Sequence, residues 1–206
     1  MTTFPMGLRL SAVVLAAGKS ERMGVNKLLL RIAGKTLLDL ILEALKASSL
    51  QEIYVVLGHR PEELRPILKW HNVEEVLNPD YEEGMLSSFK AGLRRVSSDA
   101  AFLILGDQLL EPALLVRMSS VMEGDPQAHI VSPTHMGRRG HPVLFRRTIF
   151  GEILNLGGGE TLRDLIERHS SAHRFVEGGP LCVLDIDTPE DFERARRLYE
   201  APAASP

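Results

Sequence analysis

Only one cysteine, Cys182, occurs among 206 residues. That excludes an intramolecular disulfide and fits a reducing compartment. No apolar run approaches the length of a membrane span. Neither sign of charge dominates: the formal net charge is −3, so no global field draws the chain to nucleic acid or anionic membrane. A site for a polyanion must therefore be a local basic cluster. Internal repeats, low-complexity segments and a second-domain linker are also missing. What is present is 44% hydrophobic residues, enough for a buried core in one domain.

The segment Met1 to Leu8 lacks the charged region, long apolar core and cleavage site of a secretory signal. A cytoplasmic location is expected. Residues 1–9 read as an N-terminal segment, 10–199 as one domain and 200–206 as a flexible tail.

Strand and helix patterns alternate along the domain. Strands are expected at 10–15, 52–57, 73–77, 100–105, 128–132, 142–145, 174–176 and 182–186. Helices are expected at 36–47, 61–70, 85–96, 112–122, 148–154, 161–169 and 189–199. Repeated β-α alternation implies a mainly parallel sheet with helices on both faces, a three-layer α/β/α Rossmann-like fold. The glycine-rich stretch 137–159 reads as loops over the site, with the acceptor-side loops within about 135–160. Ligands in such sheets bind beyond the carboxyl ends of the strands. Chemically useful residues fall at those ends.

The first such loop follows Val13-Val14-Leu15. Ala16-Ala17-Gly18 ends the strand, and Lys19, Arg22 and Lys27 follow with a second glycine at Gly24. Small residues let main-chain N–H groups approach an anion, and cations neutralise it. A Walker A loop needs a glycine five residues before Gly18, where Val13 stands. The spacing of Gly18 and Gly24 also fails the dinucleotide fingerprint. Further along, Gly106-Asp107-Gln108 leaves a strongly apolar strand, which suits a magnesium-binding carboxylate. Asp185 and Asp187 alternate along an expected strand end and so point to one side. Thr188 and Pro189 then open a helix. Gly58 and His59 follow the second strand. Asn78, Gly84, Ser87 and Ser88 form a patch at a helix start, where hydroxyls and free N–H groups can hold phosphate.

Leu15-Ala16-Ala17-Gly18, Arg22-Met23-Gly24 and Lys27 resemble the signature of nucleotidyltransferases that join a nucleoside monophosphate to an acceptor phosphate. The nearest branch is that of the molybdenum cofactor cytidylyltransferases and their guanylyltransferase relatives, and the likeness runs from about Leu10 to Tyr199. The resemblance implies catalytic roles for Arg22, Lys27 and Asp107, and magnesium on Asp107 with Asp187, Asp185 being held in reserve. It implies nucleotide contacts from Leu15, Ala16, Ala17, Gly18, Arg22, Lys27, Gly58, His59, Asn78, Ser87, Ser88 and Asp107.

Arg138-Arg139-Gly140-His141-Pro142 resembles the acceptor motif of the molybdopterin branch. It implies that Arg139, Gly140, His141 and Pro142 meet the acceptor, since arginine can both stack on a flat ring and pair with phosphate. Two departures stand out. Leu109 occupies a position where relatives carry proline, and Gly157-Gly158-Gly159 lacks the aspartate that relatives place between glycines. The Ala-Ala-Gly loop resembles pyrimidine users, so CTP is the expected donor and molybdopterin the expected acceptor. A molybdenum hydroxylase apo-enzyme is the expected onward partner. The alternatives are a guanylyltransferase using GTP, a transferase for sugar phosphates or isoprenoid precursors, and a nucleotide-binding maturation chaperone without catalysis.

Overall fold

The computed structural model describes residues 7–20, 24–48 and 50–201. In chain order the strands are β1 (Leu10–Ala16), β2 (Arg31–Ile32), β3 (Lys35–Thr36), β4 (Glu52–Leu57), β5 (Glu74–Leu77), β6 (Ala100–Leu105), β7 (Ile130–His135), β8 (Arg138–Arg139), β9 (Val143–Arg146) and β10 (His173–Glu177). The α-helices are α1 (Leu37–Lys46), α2 (Arg65–His71), α3 (Met85–Leu93), α4 (Pro112–Gly124), α5 (Phe150–Asn155), α6 (Leu162–Arg168) and α7 (Pro189–Glu200).

One eight-stranded sheet runs through the molecule in the order β10-β7-β9-β6-β1-β4-β5, with β8 paired to β7. β1 lies parallel to both β4 and β6, and β4 parallel to β5. β9 runs antiparallel between β6 and β7, and β10 closes that edge parallel to β7. β1 is buried on both faces, as its unbroken apolar run requires of a central parallel strand. Helices α1, α2 and α4 pack on one face around Ile41, Leu42, Leu68 and Met118. On the other face α3, α5 and α6 pack around Phe89, Ile153 and Leu165. This is the three-layer α/β/α arrangement that the alternation implies.

Three helices begin with a reciprocal capping box, at Thr36–Asp39, Thr161–Asp164 and Thr188–Asp191. A third apolar cluster joins α7 to the chain before it, through Leu184, Ile186 and Ala195, together with Ile32, Leu37 and Leu40.

Two expectations are corrected here. Residues 182–186 form no strand: a 3-10 turn occupies Pro180–Val183, and the chain then runs on extended without a sheet partner. The segment makes isolated bonds in place of a ladder: Ile186 N–H donates to the Asp107 carbonyl, and the Cys182 carbonyl accepts from His141 N–H. The stretch 137–159 is less irregular than expected, because it contains β8, β9 and α5. Only the turns around them are loops.

Candidate active site

A cleft of about 620 Å³ opens above the carboxyl ends of β1 and β6. Residues 15–20, Lys27 and Leu28 form one wall, and Tyr81, Gly84, Met85 and Ser88 at the start of α3 form another. Leu105 and Gly106 form its floor, with Asp107, Asp185 and Asp187 at the acidic end.

The acidic end is held from several sides. Gly106 N–H donates to the Leu15 carbonyl at 3.1 Å, and Ile186 N–H to the Asp107 carbonyl at 2.9 Å. These bonds tie the end of β6 to β1 and to the 184–187 segment. Leu184 and Ile186 are buried in the third cluster, whereas Asp185 and Asp187 are not. Extended backbone alternates its side chains whether or not it is laddered. The two acids therefore line the cleft without being in a strand.

Lys27 sits where a short 3-10 turn begins, capped by Asn26, whose side chain accepts from the Leu28 N–H. Its Nζ lies 2.6 Å from Asp107 Oδ2 and 3.1 Å from Asp187 Oδ1. One ammonium thus bridges carboxylates from the middle and the last part of the chain. Asp185 accepts from Nε2 of Gln108, a residue only 3% exposed.

The donor set suits a hard divalent cation. Two carboxylates that already share one cation in the Lys27 ammonium can share a metal ion. Magnesium and its like take one or two carboxylates and complete their shell with water and substrate phosphate. Among the described residues, no three histidine, cysteine or acidic side chains are grouped so as to hold a metal ion.

Of the residues singled out in the sequence, Leu15, Ala16, Ala17, Gly18, Lys27, Ser88, Asp107, Asp185 and Asp187 all line this cleft. Arg22 lies outside the described residues. Gly58 stands behind Tyr81, and a Cβ there would strike the tyrosine ring at 2.5 Å. His59 lines a smaller side cavity with Gly18, Ser20 and Asn26. Asn78 is buried and braces the start of α3 by donating to Ser87 Oγ and Ser88 Oγ, both at 3.0 Å. Ser87 opens on the far side of that helix.

The acceptor motif divides. Arg139 is exposed on β8, while Gly140 is buried and His141 and Pro142 turn inward. A Cβ at Gly140 would collide with the Cys182 carbonyl oxygen. Gly140 N–H donates to the Pro133 carbonyl at 2.9 Å, and His141 N–H to the Cys182 carbonyl at 2.8 Å. Burial pushes the His141 imidazole below its ordinary pKa, against the opposing pull of Asp185 and Asp107. Burial also pushes the Cys182 thiol up to about 11, which makes it an inert core group.

Sequence reasoning missed Tyr81 and Met85, both of which line the cleft. Their signal was present, because they flank Gly84 in the patch already marked. Lys19, a third cation of the first loop, also lines the cleft and pairs with Glu82 at 2.5 Å.

A loop of small residues and cations, set beside paired carboxylates at the ligand end of a parallel sheet, defines a nucleotidyl-transferring enzyme. The model of the MobA-like NTP transferase domain matches residues 12–173, and the chain belongs to that family. It is 31% identical to the molybdenum cofactor cytidylyltransferase of Escherichia coli K12, over 92% of this chain and 97% of that one. It is 32% identical to purine catabolism protein PucB of Bacillus subtilis 168, over 91% and 96% of the two chains. A probable molybdenum cofactor guanylyltransferase of Natranaerobius thermophilus is 28% identical, over 91% and 95%. Among solved structures, Rv0371c of Mycobacterium tuberculosis H37Rv superposes with a TM-score of 0.81 at 29% identity, covering 93% of this chain and 99% of that one. A complex of Rv0371c with manganese superposes at 0.76 and 28% identity, covering 92% and 98%.

Among the described residues, no helix is long and apolar enough to cross a membrane.

Proposed function

We propose that this nucleotidyltransferase moves CMP from CTP to the phosphate of molybdopterin, with magnesium and in the cytoplasm, and that the product passes to a molybdenum hydroxylase apo-enzyme. The observation that carries the reading is the pair Asp107 and Asp187 around Lys27 Nζ, set directly beside the 15–20 loop. A cation and two carboxylates beside that loop support phosphate and metal binding there.

An oxygen of the acceptor phosphate attacks the α-phosphorus of the triphosphate in line. The new P–O bond forms as the α–β bridging bond breaks, and pyrophosphate leaves with that electron pair. An ionised phosphate is already a nucleophile, so the enzyme needs no general base. Its task is to bring two anions together and neutralise the charge that develops. Lys27 would move from the carboxylates to the triphosphate, helped by Arg22. Magnesium, which Asp107 and Asp187 would hold, supplies Lewis-acid neutralisation of the phosphate oxygens. Asn78 keeps Ser88 in place at the nucleotide wall.

The preference for CTP rests on Ala16 and Ala17, whose methyl groups narrow the cleft where glycines would leave room for a purine. The likeness to a cytidylyltransferase over nearly the whole chain supports it. The test is pyrophosphate release from the purified protein with molybdopterin, magnesium and each of the four triphosphates. Release should be fastest with CTP. Faster release with GTP would favour the guanylyltransferase reading, and release with none would refute the acceptor.

A further inference from the structure

We propose that Gln108 sets the metal site's choice of ion by withholding Asp185 from it. The inference rests on the reading that Asp107 and Asp187 hold magnesium, and it makes Asp185 an anchor in place of a ligand.

Gln108 follows Asp107 directly, at the end of β6, yet it is only 3% exposed. Burying an amide costs free energy unless its polar atoms are used. Gln108 Nε2 donates to Asp185 Oδ1. Its Oε1 is buried and has no hydrogen-bond partner among the described residues. The carboxylate therefore orients this amide, because the flipped amide would set oxygen against oxygen. The dependence is mutual. Asp185 is exposed at the cleft and makes no ion pair among the described residues, where Gln108 is its one hydrogen-bond partner.

This bond fixes a segment that no strand ladder fixes. Leu184 and Ile186 are buried in the third apolar cluster, and the Ile186 N–H donates to the Asp107 carbonyl at 2.9 Å. Asp107 and Gln108 thus grip Ile186 and Asp185 by one main-chain and one side-chain bond. Asp187, the next residue, shares the Lys27 ammonium with Asp107. Asp185 takes no part in that bridge, and no three acidic side chains are grouped to hold a metal ion among the described residues.

The number of carboxylates decides which divalent ion such a site prefers. Magnesium needs only one or two and keeps water and phosphate around it, whereas calcium takes more oxygen ligands in a looser shell. Asp185 and Asp187 leave extended backbone on the same side and line the same cleft. Asp185 is thus the carboxylate placed to become a third ligand once Gln108 lets it go. Gln108 lies outside the cleft lining and is a positioning residue that acts through Asp185.

The test reads metal binding directly, by loss of the free Mn2+ electron paramagnetic resonance signal on the full chain, with and without CTP. Displacement by Mg2+ or Ca2+ then gives the preference between them. Asp185→Asn keeps an oxygen for the Gln108 donor and should bind manganese within about twofold of the parent. Asp187→Asn should lose about tenfold or more, since even partners outside the ligand shell cost that much. Gln108→Met removes the donor with little change in volume. It should shift displacement toward Ca2+ over Mg2+ by roughly tenfold, and adding Asp185→Asn should cancel the shift. A lower thermal midpoint in Gln108→Met with an unchanged Ca2+ to Mg2+ ratio would mean a purely structural role and overturn the proposal. Equal manganese losses in Asp185→Asn and Asp187→Asn would make Asp185 a ligand and overturn it too. A parent that binds no manganese, alone or with CTP, would refute the metal reading and this inference together. A parent that shows these shifts but transfers no CMP to molybdopterin would refute the proposed reaction alone.

Discussion

The two ends of the cleft are made of different material. Around β1, β4 and β6 the strands are parallel and deeply buried, and they deliver their loops to one edge. Lys27, Asp107 and Asp187 meet there although they come from distant parts of the chain. Around β7 to β10 the strands change direction, two of them are short, and part of one sheet face is open. The first end is a set of loops gathered over charge. The second is a surface.

The largest effect should come from the charged end. Asp107→Ala should cut pyrophosphate release by about a hundred- to a thousandfold, the range for losing one preorganised electrostatic group, with the fold intact by circular dichroism. Lys27→Gln should cost a similar factor in kcat, but with the opposite metal signature. Removing the ammonium that now occupies the carboxylate pair should lower the magnesium concentration needed for half-activation. Asp187→Asn should raise it. A shared direction for both variants would mean that Lys27 and metal do not compete for the same oxygens.

The acceptor end should instead respond in stability. Gly140→Ala drives a methyl group into the Cys182 carbonyl, and should cost about 1–3 kcal/mol in urea unfolding, as overpacking does. The charged end should be unaffected, with the KM for CTP near that of the parent. A loss of CTP binding equal to the loss of stability would make the two ends a single unit.

The two ends also differed in how much the sequence showed. β1 and β6 are long β-branched or apolar runs that end in glycine and a charged loop, and they lie as expected. Asp185 and Asp187 were placed on one side by alternation. That holds although the segment is unpaired, because burial of Leu184 and Ile186 enforces the same period. The strand expected at 182–186 failed because its apolar pattern serves the cluster with α7, and pattern alone cannot tell a ladder from a packed extended chain. The inward turn of His141 was equally hidden, since it depends on the Cys182 carbonyl.

A smaller effect should appear in nucleotide choice. Ala17→Gly should relax the preference for CTP over GTP only in part, because one methyl discriminates by roughly 1–3 kcal/mol. Comparing kcat/KM for both triphosphates in the two proteins checks it. A further effect is one of pH, at the opposite end. Burial, with the Arg139 and Arg174 charges adding to it, pushes the His173 imidazole down to about 4 from an ordinary 6.5. Between those values the unfolded chain binds a proton that the folded chain does not, so stability should fall as pH drops through that window. His173→Gln should flatten this part of the profile in urea unfolding at stepped pH.

The chemistry itself can be read from where the α-phosphorus goes. CTP labelled at that atom should pass its label to molybdopterin, with unlabelled pyrophosphate released in equal amount and dependent on both Asp107 and the acceptor. Label that stays with CTP, that appears as free CMP without acceptor, or that transfers faster from GTP would contradict cytidylyl transfer at this site.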